Sequence, residues 1–194
     1  IVMNFCSNEN IPNFAEQQSK GRRCIAFAHK IGSDINTLSD FIWDGYVAIE
    51  DPVRSNVPDA IQAARNAGIK VKIVTGDNPE TAASIAAQAN ISQTPNTMLG
   101  KEVETQTDTN LRKVDVFART KPEDKQTLVK RFQSMGEVVA VTGDGTNDSA
   151  ALNQAEVGVA MNNGTDIAKN AADVILLDNS FPSVILGVKW GRSW

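Results

Sequence analysis

The chain lacks most of the features that would settle its class at once. Its two cysteines, Cys6 and Cys24, stand far apart and match neither a metal-ligand nor a redox spacing, so both are expected to be ordinary reduced thiols in a reducing compartment. No apolar run approaches the ~18 residues needed to span a bilayer; Val174-Ile175-Leu176-Leu177 is typical of the longest. The opening residues have no charged start, apolar stretch and small-residue cleavage site, so no signal peptide is read. Charge of one sign is also missing: 19 Lys+Arg stand against 23 Asp+Glu, a net charge of -4, which argues against a nucleic-acid binder. These absences predict a soluble piece of chain. Its 194 residues, 41% of them apolar, suffice for one domain with a real core and a small appended piece.

From Ile69 onward, short β-branched runs alternate with Ala-rich helical patterns, the mark of βαβ units and a mostly parallel sheet. A helix over 56–67 has Pro58 in its first turn, carries Val57, Ala60, Ile61 and Ala64 on one face, and stops at Gly68. A strand over 71–74 runs into Thr75-Gly76-Asp77, and Asn78-Pro79 opens a helix to about Ala89 with Ala82, Ile85 and Ala86 inward. Residues 92–112, polar and rich in Thr and Asn, read as loop with at most a short element. Strands are expected over 114–118, 138–141, 157–160 and 174–177. Helices are expected over 122–135, from Asp148, over 165–172 and from Ser180. The first fifty residues differ: a polar opening, a strand over 23–28, a loop over 32–40 and a strand over 41–49. They read as the tail of a second domain, with Asp51-Pro52 as the boundary.

Two strands ending in Thr-Gly-Asp, at 75–77 and 142–144, place carboxylates at one edge of a parallel sheet, the edge where open α/β sheets bind ligands. The second turn extends to Thr142-Gly143-Asp144-Gly145-Thr146-Asn147-Asp148. Its glycines permit a sharp turn and close approach, while Asp144 and Asp148 offer hard oxygen ligands suited to Mg2+. Lys125, in the first turn of a helix, and Arg119, at a strand end, read equally as solvated cations or as phosphate-facing ones. Together these groups describe a Mg2+-assisted phosphoryl-transfer site with neither a His nor a Cys nucleophile.

Four ordered stretches resemble P-type ATPases, members of the haloacid-dehalogenase-like superfamily. They are EDPVRSNVPDAIQAARNAGIKVKIVTGDNPETA from Glu50, VFARTKPEDKQTLVK from Val116, VTGDGTNDSAALNQAEVGVAM from Val141, and GTDIAKNAADVILLDNSF from Gly164. EDPVR and LDNSFPSVILGVKWGR look closest to plasma-membrane-type calcium pumps, although sodium/potassium pumps share much of the hinge. The resemblance implies an α/β fold: a Rossmann-like haloacid-dehalogenase-type parallel sheet flanked by helices. It makes residues 1–50 the end of a nucleotide-binding domain and 51–194 a phosphorylation domain without its first strand. It also implies that Asp144 and Asp148 hold Mg2+, that Asn147 bonds the phosphate region and that Lys125 neutralises the transferred phosphoryl group. Thr75, Gly76 and Asp77 would form the phosphate- and nucleotide-facing turn, joined by Arg119. Arg23, in GRRCIAFA, would reach ATP from the nucleotide-binding domain, with Arg54 near it; a solvated stem is the alternative for both arginines. The partners implied are ATP, a transported cation, most simply Ca2+, bound in a membrane region outside this sequence, and the rest of the pump, including its membrane helices.

The sequence departs from the family pattern twice. Ala150 stands where these pumps usually have proline. The Asp-Lys-Thr-Gly-Thr motif that carries the phosphorylated aspartate is absent, and Asp124-Lys125-Gln126-Thr127 is no substitute because it lies inside a helix. The chain is therefore expected to be an excised cytoplasmic piece, inactive alone, whose strands ending at Thr75 and Thr142 lack a neighbour. Those strands should pair directly with each other or receive another segment, or another copy of the chain, between them. A soluble phosphatase of the same superfamily is one alternative, but it requires an early Asp-x-Asp that is missing. A non-catalytic module of the same fold is another.

Overall fold

The computed structural model describes residues 6, 14, 16–17, 21–32, 37, 39–50 and 52–192. The chain forms two compact units, Ile1–Pro52 and Val53–Trp194. In the first, β1 (Arg23–His29) and β2 (Ile42–Ile49) pair antiparallel from Arg23↔Ile49 to His29↔Ile42, with a bulge between Phe27 and Ala28. Phe41, expected in the second strand, makes instead an isolated bridge to Cys6. An Arg22–Glu50 ion pair closes one end of the ribbon, and the His29 ring meets the Asp44 carboxylate at 2.6 Å at the other. Of the expected loop over 32–40, residues 33–36 and 38 lie outside the described residues, as does Asp51 of the expected boundary.

The second unit contains two separate three-stranded parallel sheets rather than one continuous sheet. The first sheet has the order β3 (Ile73–Val74), β5 (Val116–Ala118), β4 (Thr97–Leu99). The second has the order β6 (Ala140–Gly143), β7 (Val157–Met161), β8 (Val174–Leu176). Helices α1 (Val57–Asn66), α2 (Pro79–Gln88), α3 (Asp108–Lys113), α4 (Pro122–Ser134), α5 (Ser149–Gln154), α6 (Asp166–Ala171) and α7 (Phe181–Gly191) occupy the connections.

Strand β5 is buried along its whole length, and its alternation organises the core. Phe117 points to one face with Val103, Leu111, Val114 and Leu128, while Val116 and Ala118 point to the other against Ala82 and Ala86. The methyl side chains on α2 let that helix approach the strand closely. Asn78 fixes where α2 begins by accepting from the Thr81 N–H at 2.8 Å. In the second sheet the central strand is again the buried one: Val159 and Ala160 pack with Ala151, Leu152 and Ala168 inside. Helix α5 packs against both α4 and α6, and α1 packs against α7, so helix layers join the two sheets.

Several strands differ in extent from the sequence expectation. The run 71–74 forms a ladder only at Ile73–Val74, and the strand expected over 138–141 lies at Ala140–Gly143, with Val138 83% exposed. Within 92–112 there are both β4 and α3, and β4 is the third strand of its sheet. The expected alternative in which the strands ending at Thr75 and Thr142 pair directly is not what forms: among the described residues β3 and β6 each have a partner on one side only.

Candidate functional site

The carboxyl ends of β3 and β6 open onto one cavity of about 370 Å³. Thr75, Gly76, Lys125, Asp144, Asn147 and Asp148, six of the residues singled out in the sequence, line it together. Two sequence turns, 67 residues apart, are thereby brought to one place.

The β3 turn is held from within and from below. The Thr75 hydroxyl donates to the Asp77 carboxylate and accepts from the Asp77 N–H, both at 3.1 Å. The main chain that follows β5 then pins the turn: the Arg119 N–H donates to the Asp77 carbonyl at 2.9 Å and the Thr120 N–H to the Thr75 carbonyl at 3.0 Å. Arg119 itself stands at φ +51°, a left-handed conformation uncommon for any residue but glycine. Asp77 and Arg119 sit beside the cavity, exposed, and do not line it.

The β6 turn closes on itself through Asp148. Its Oδ2 accepts from the Gly145 N–H at 3.2 Å while its own N–H donates to the Gly145 carbonyl at 3.0 Å. A Cβ at Gly143 would fall 2.6 Å from the Asp148 Cβ, so glycine is what admits this side chain. The other carboxylate oxygen, Oδ1, takes the Lys125 ammonium at 2.6 Å, with the two side chains only 14% and 11% exposed. Lys125 enters from the first turn of α4, whose start is fixed by Asp124 accepting from the Lys121 N–H at 2.8 Å. The pair thus ties a helix of the first sheet to a turn of the second, and among the described residues Asp144 is the lining carboxylate with no ion pair.

These groups fit a magnesium ion. Among the described residues no three His, Cys, Asp or Glu gather into a metal cluster. Mg2+ asks for less: it usually takes one or two carboxylates and completes its shell with water and phosphate oxygens. Asp144 and Asp148 supply that number, and the hydroxyls of Thr75 and Thr142 add hard oxygens in the same cavity.

Two predicted residues stand elsewhere. Arg54 donates from Nη1 to the Asn179 carbonyl at 2.8 Å. Arg23 is exposed on β1 in the other unit. Met161 at the end of β7 lines the cavity and was not anticipated, since nothing in its local sequence marks it.

Residues 10–156 match a hydrolase family described as haloacid dehalogenase-like hydrolase. Calcium-transporting ATPase 5, plasma membrane-type, of Oryza sativa subsp. japonica is 40% identical over 193 residues, covering 88% of this chain and 18% of its own length. Calcium-transporting ATPase 2 of Schizosaccharomyces pombe is 43% identical over 164 residues, covering 81% and 13%. The chain therefore spans less than a fifth of the length of these relatives. Among solved structures, a zinc-transporting PIB-type ATPase in an E2.Pi state superposes with a TM-score of 0.66 at 26% identity, over 92% of this chain and 24% of that one. The catalytic domain of a CPx-ATPase, CopB-B, gives 0.56 at 29% identity, over 77% and 48%.

Proposed function

The chain belongs to the haloacid dehalogenase-like hydrolases, and from that premise we propose that it is the phosphate-handling part of a P-type cation pump, most simply a calcium pump. The observation that carries this reading is the convergence of Thr75, Gly76, Lys125, Asp144, Asn147 and Asp148 on one cavity at the ends of two strands that, among the described residues, are each paired on one side only. Residues 51–194 act as the phosphorylation domain, and residues 1–50, with the β1–β2 ribbon, as the end of a nucleotide-binding domain from which Arg23 meets ATP. The named relatives transport calcium, which supports that cation as cargo.

Asp144 and Asp148 hold Mg2+, which when bound shields the charge of the phosphate oxygens. Lys125 keeps a cation at the phosphoryl group while holding Asp148 in place, and Asn147 and the Thr75-Gly76 turn orient the phosphate through neutral donors. Arg119 and Asp77, beside the cavity, meet the nucleotide, whereas Arg54, bonded to the Asn179 carbonyl, reaches ATP only together with Arg23. The nucleophilic carboxylate is supplied by a strand outside this sequence. Among the described residues β3 and β6 are each paired on one side only, which supports such an insertion, because interior backbone groups left unpaired are costly. No helix among the described residues is long and apolar enough to cross a membrane.

The test is a chimera in which residues 1–194 replace the matching segment of a calcium pump. It should form an acid-stable phosphoenzyme from labelled ATP in the presence of Ca2+ and Mg2+. Asp144→Asn should abolish that signal while His29→Ala keeps it. Normal phosphoenzyme in the Asp144→Asn chimera refutes the site.

A further inference from the structure

The loop that follows β7 is pressed against the Asp144 turn. The Thr165 N–H donates to the Asp144 carbonyl at 2.8 Å. A Cβ on Gly164 would lie 2.9 Å from that same carbonyl oxygen and 3.0 Å from the Asp144 Cα, so main chain meets main chain there with no side chain between. The loop is in turn held from its far side. The Asn162 N–H donates to the Leu176 carbonyl at 3.0 Å and the Asn163 N–H to Oδ1 of Asn179 at 3.1 Å. Asn179 stands just beyond β8 at φ +51°, and its carbonyl receives the Arg54 guanidinium.

We infer that Asn179 is a positioning residue for Asp144, acting through Asn163, Gly164 and Thr165; this rests on the reading of Asp144 as a magnesium ligand. The chemistry of asparagine suits the place. It enters the left-handed region more readily than most residues, and its short amide puts an acceptor within reach of a neighbouring main-chain N–H. Without that acceptor the Asn163 N–H turns to water, and the loop loses the tie that backs Thr165 against the Asp144 carbonyl. Asp144 sits in a turn between glycines, and what the loop touches is its main chain, at the carbonyl and Cα. Its position follows the main chain, and the main chain follows the loop. Arg54 buttresses the outer end of this path from an exposed position and contributes less, because water competes for the same carbonyl.

The substitutions separate side chain from backbone. Asn179→Gly keeps the left-handed conformation and removes the acceptor, whereas Asn179→Asp keeps both. Mn2+ binding to the purified chain, followed by the loss of its free-ion electron paramagnetic resonance signal, reads the metal site without any turnover. Asn179→Gly should raise the Mn2+ dissociation constant about 3- to 10-fold, the range of one lost hydrogen bond. Asn179→Asp should restore it to within about 2-fold of the parent, a rescue that a merely structural loss of β8 packing would not show. Gly164→Ala, which forces the loop off the Asp144 carbonyl, should match Asn179→Gly and stands in for it if that variant does not fold. Asp144→Asn is the reference. If it binds Mn2+ as the parent chain does, Asp144 is no ligand and the underlying reading fails. If it loses binding while folded Asn179→Gly or Gly164→Ala does not, the positioning role alone is overturned.

Discussion

Removing the ammonium of Lys125 should cost more stability than any other single change in the cavity. The Lys125–Asp148 contact is 2.6 Å long and both side chains are nearly nine-tenths buried. Exposed ion pairs contribute about 0–1 kcal/mol, whereas taking one partner from a buried pair costs about 3–5 kcal/mol because the other is left charged without compensation. Residual exposure and the second bond of Asp148, to the Gly145 N–H, place Lys125→Met near the lower limit of that range, about 3 kcal/mol. For a unit of this size that is a fall in Tm of about 6–12 °C. The opposite change should be milder. In Asp148→Asn the lysine keeps a flexible stem beside a cavity of about 370 Å³ and can turn its charge to water, so about 1–2 kcal/mol is expected. Urea unfolding followed by far-ultraviolet circular dichroism measures both, and the double variant gives the coupling energy, expected above about 1.5 kcal/mol. A Lys125→Met loss below about 1 kcal/mol, or additivity of the two single changes, refutes the view that this pair ties the two sheets together.

Three further expectations follow from the same structure. Leu111→Ala, at a fully buried position among Val103, Val114, Phe117 and Leu128, should cost about 2–5 kcal/mol in the same urea titration, and a smaller loss means that the cluster around Phe117 can collapse. Asn78→Ala should cost about 1 kcal/mol by freeing the Thr81 N–H, and Asn78→Ser should recover most of it; equal losses in the two variants argue against a capping role. Glu156 accepts from the Val139 N–H and from Gln133, bonds that hold its carboxyl below the usual carboxylate range. The folded state therefore binds this proton less readily than the unfolded one, so its contribution is full above the unfolded pKa of about 4.3 and fades as pH falls through the lower folded value. Glu156→Gln should flatten the acid limb of the stability profile, the part where stability falls as pH drops below the ordinary carboxylate range, and an unchanged limb contradicts the assignment.

Much of the α/β order was legible in the sequence because its signals are local. Asn78-Pro79 and Pro122 mark helix starts through capping and a missing N–H, and the apolar spacing of Ala60, Ile61 and Ala64 names the buried face of α1 before any partner is known. The two Thr-Gly-Asp turns were legible for the same reason, since glycine beside an acid states a backbone requirement in three residues. Strands carry no such self-contained signal, because a ladder exists only where a neighbour supplies it. That is why the apolar run 71–74 pairs only at Ile73–Val74, and why Thr97–Leu99, which looks like loop, becomes a strand against β5. The same dependence left the sheet in two halves, with β3 and β6 facing one cavity instead of each other. The sequence by itself thus determined which carboxylates, hydroxyls and glycines would stand together at the ends of β3 and β6. Tertiary structure alone decided that Lys125 would be paired with Asp148, 23 residues away, and that Asn179 and Arg54, 125 residues apart, would meet behind Asp144. Contacts at such separations depend on how the sheets and helices pack together, and no local pattern encodes them.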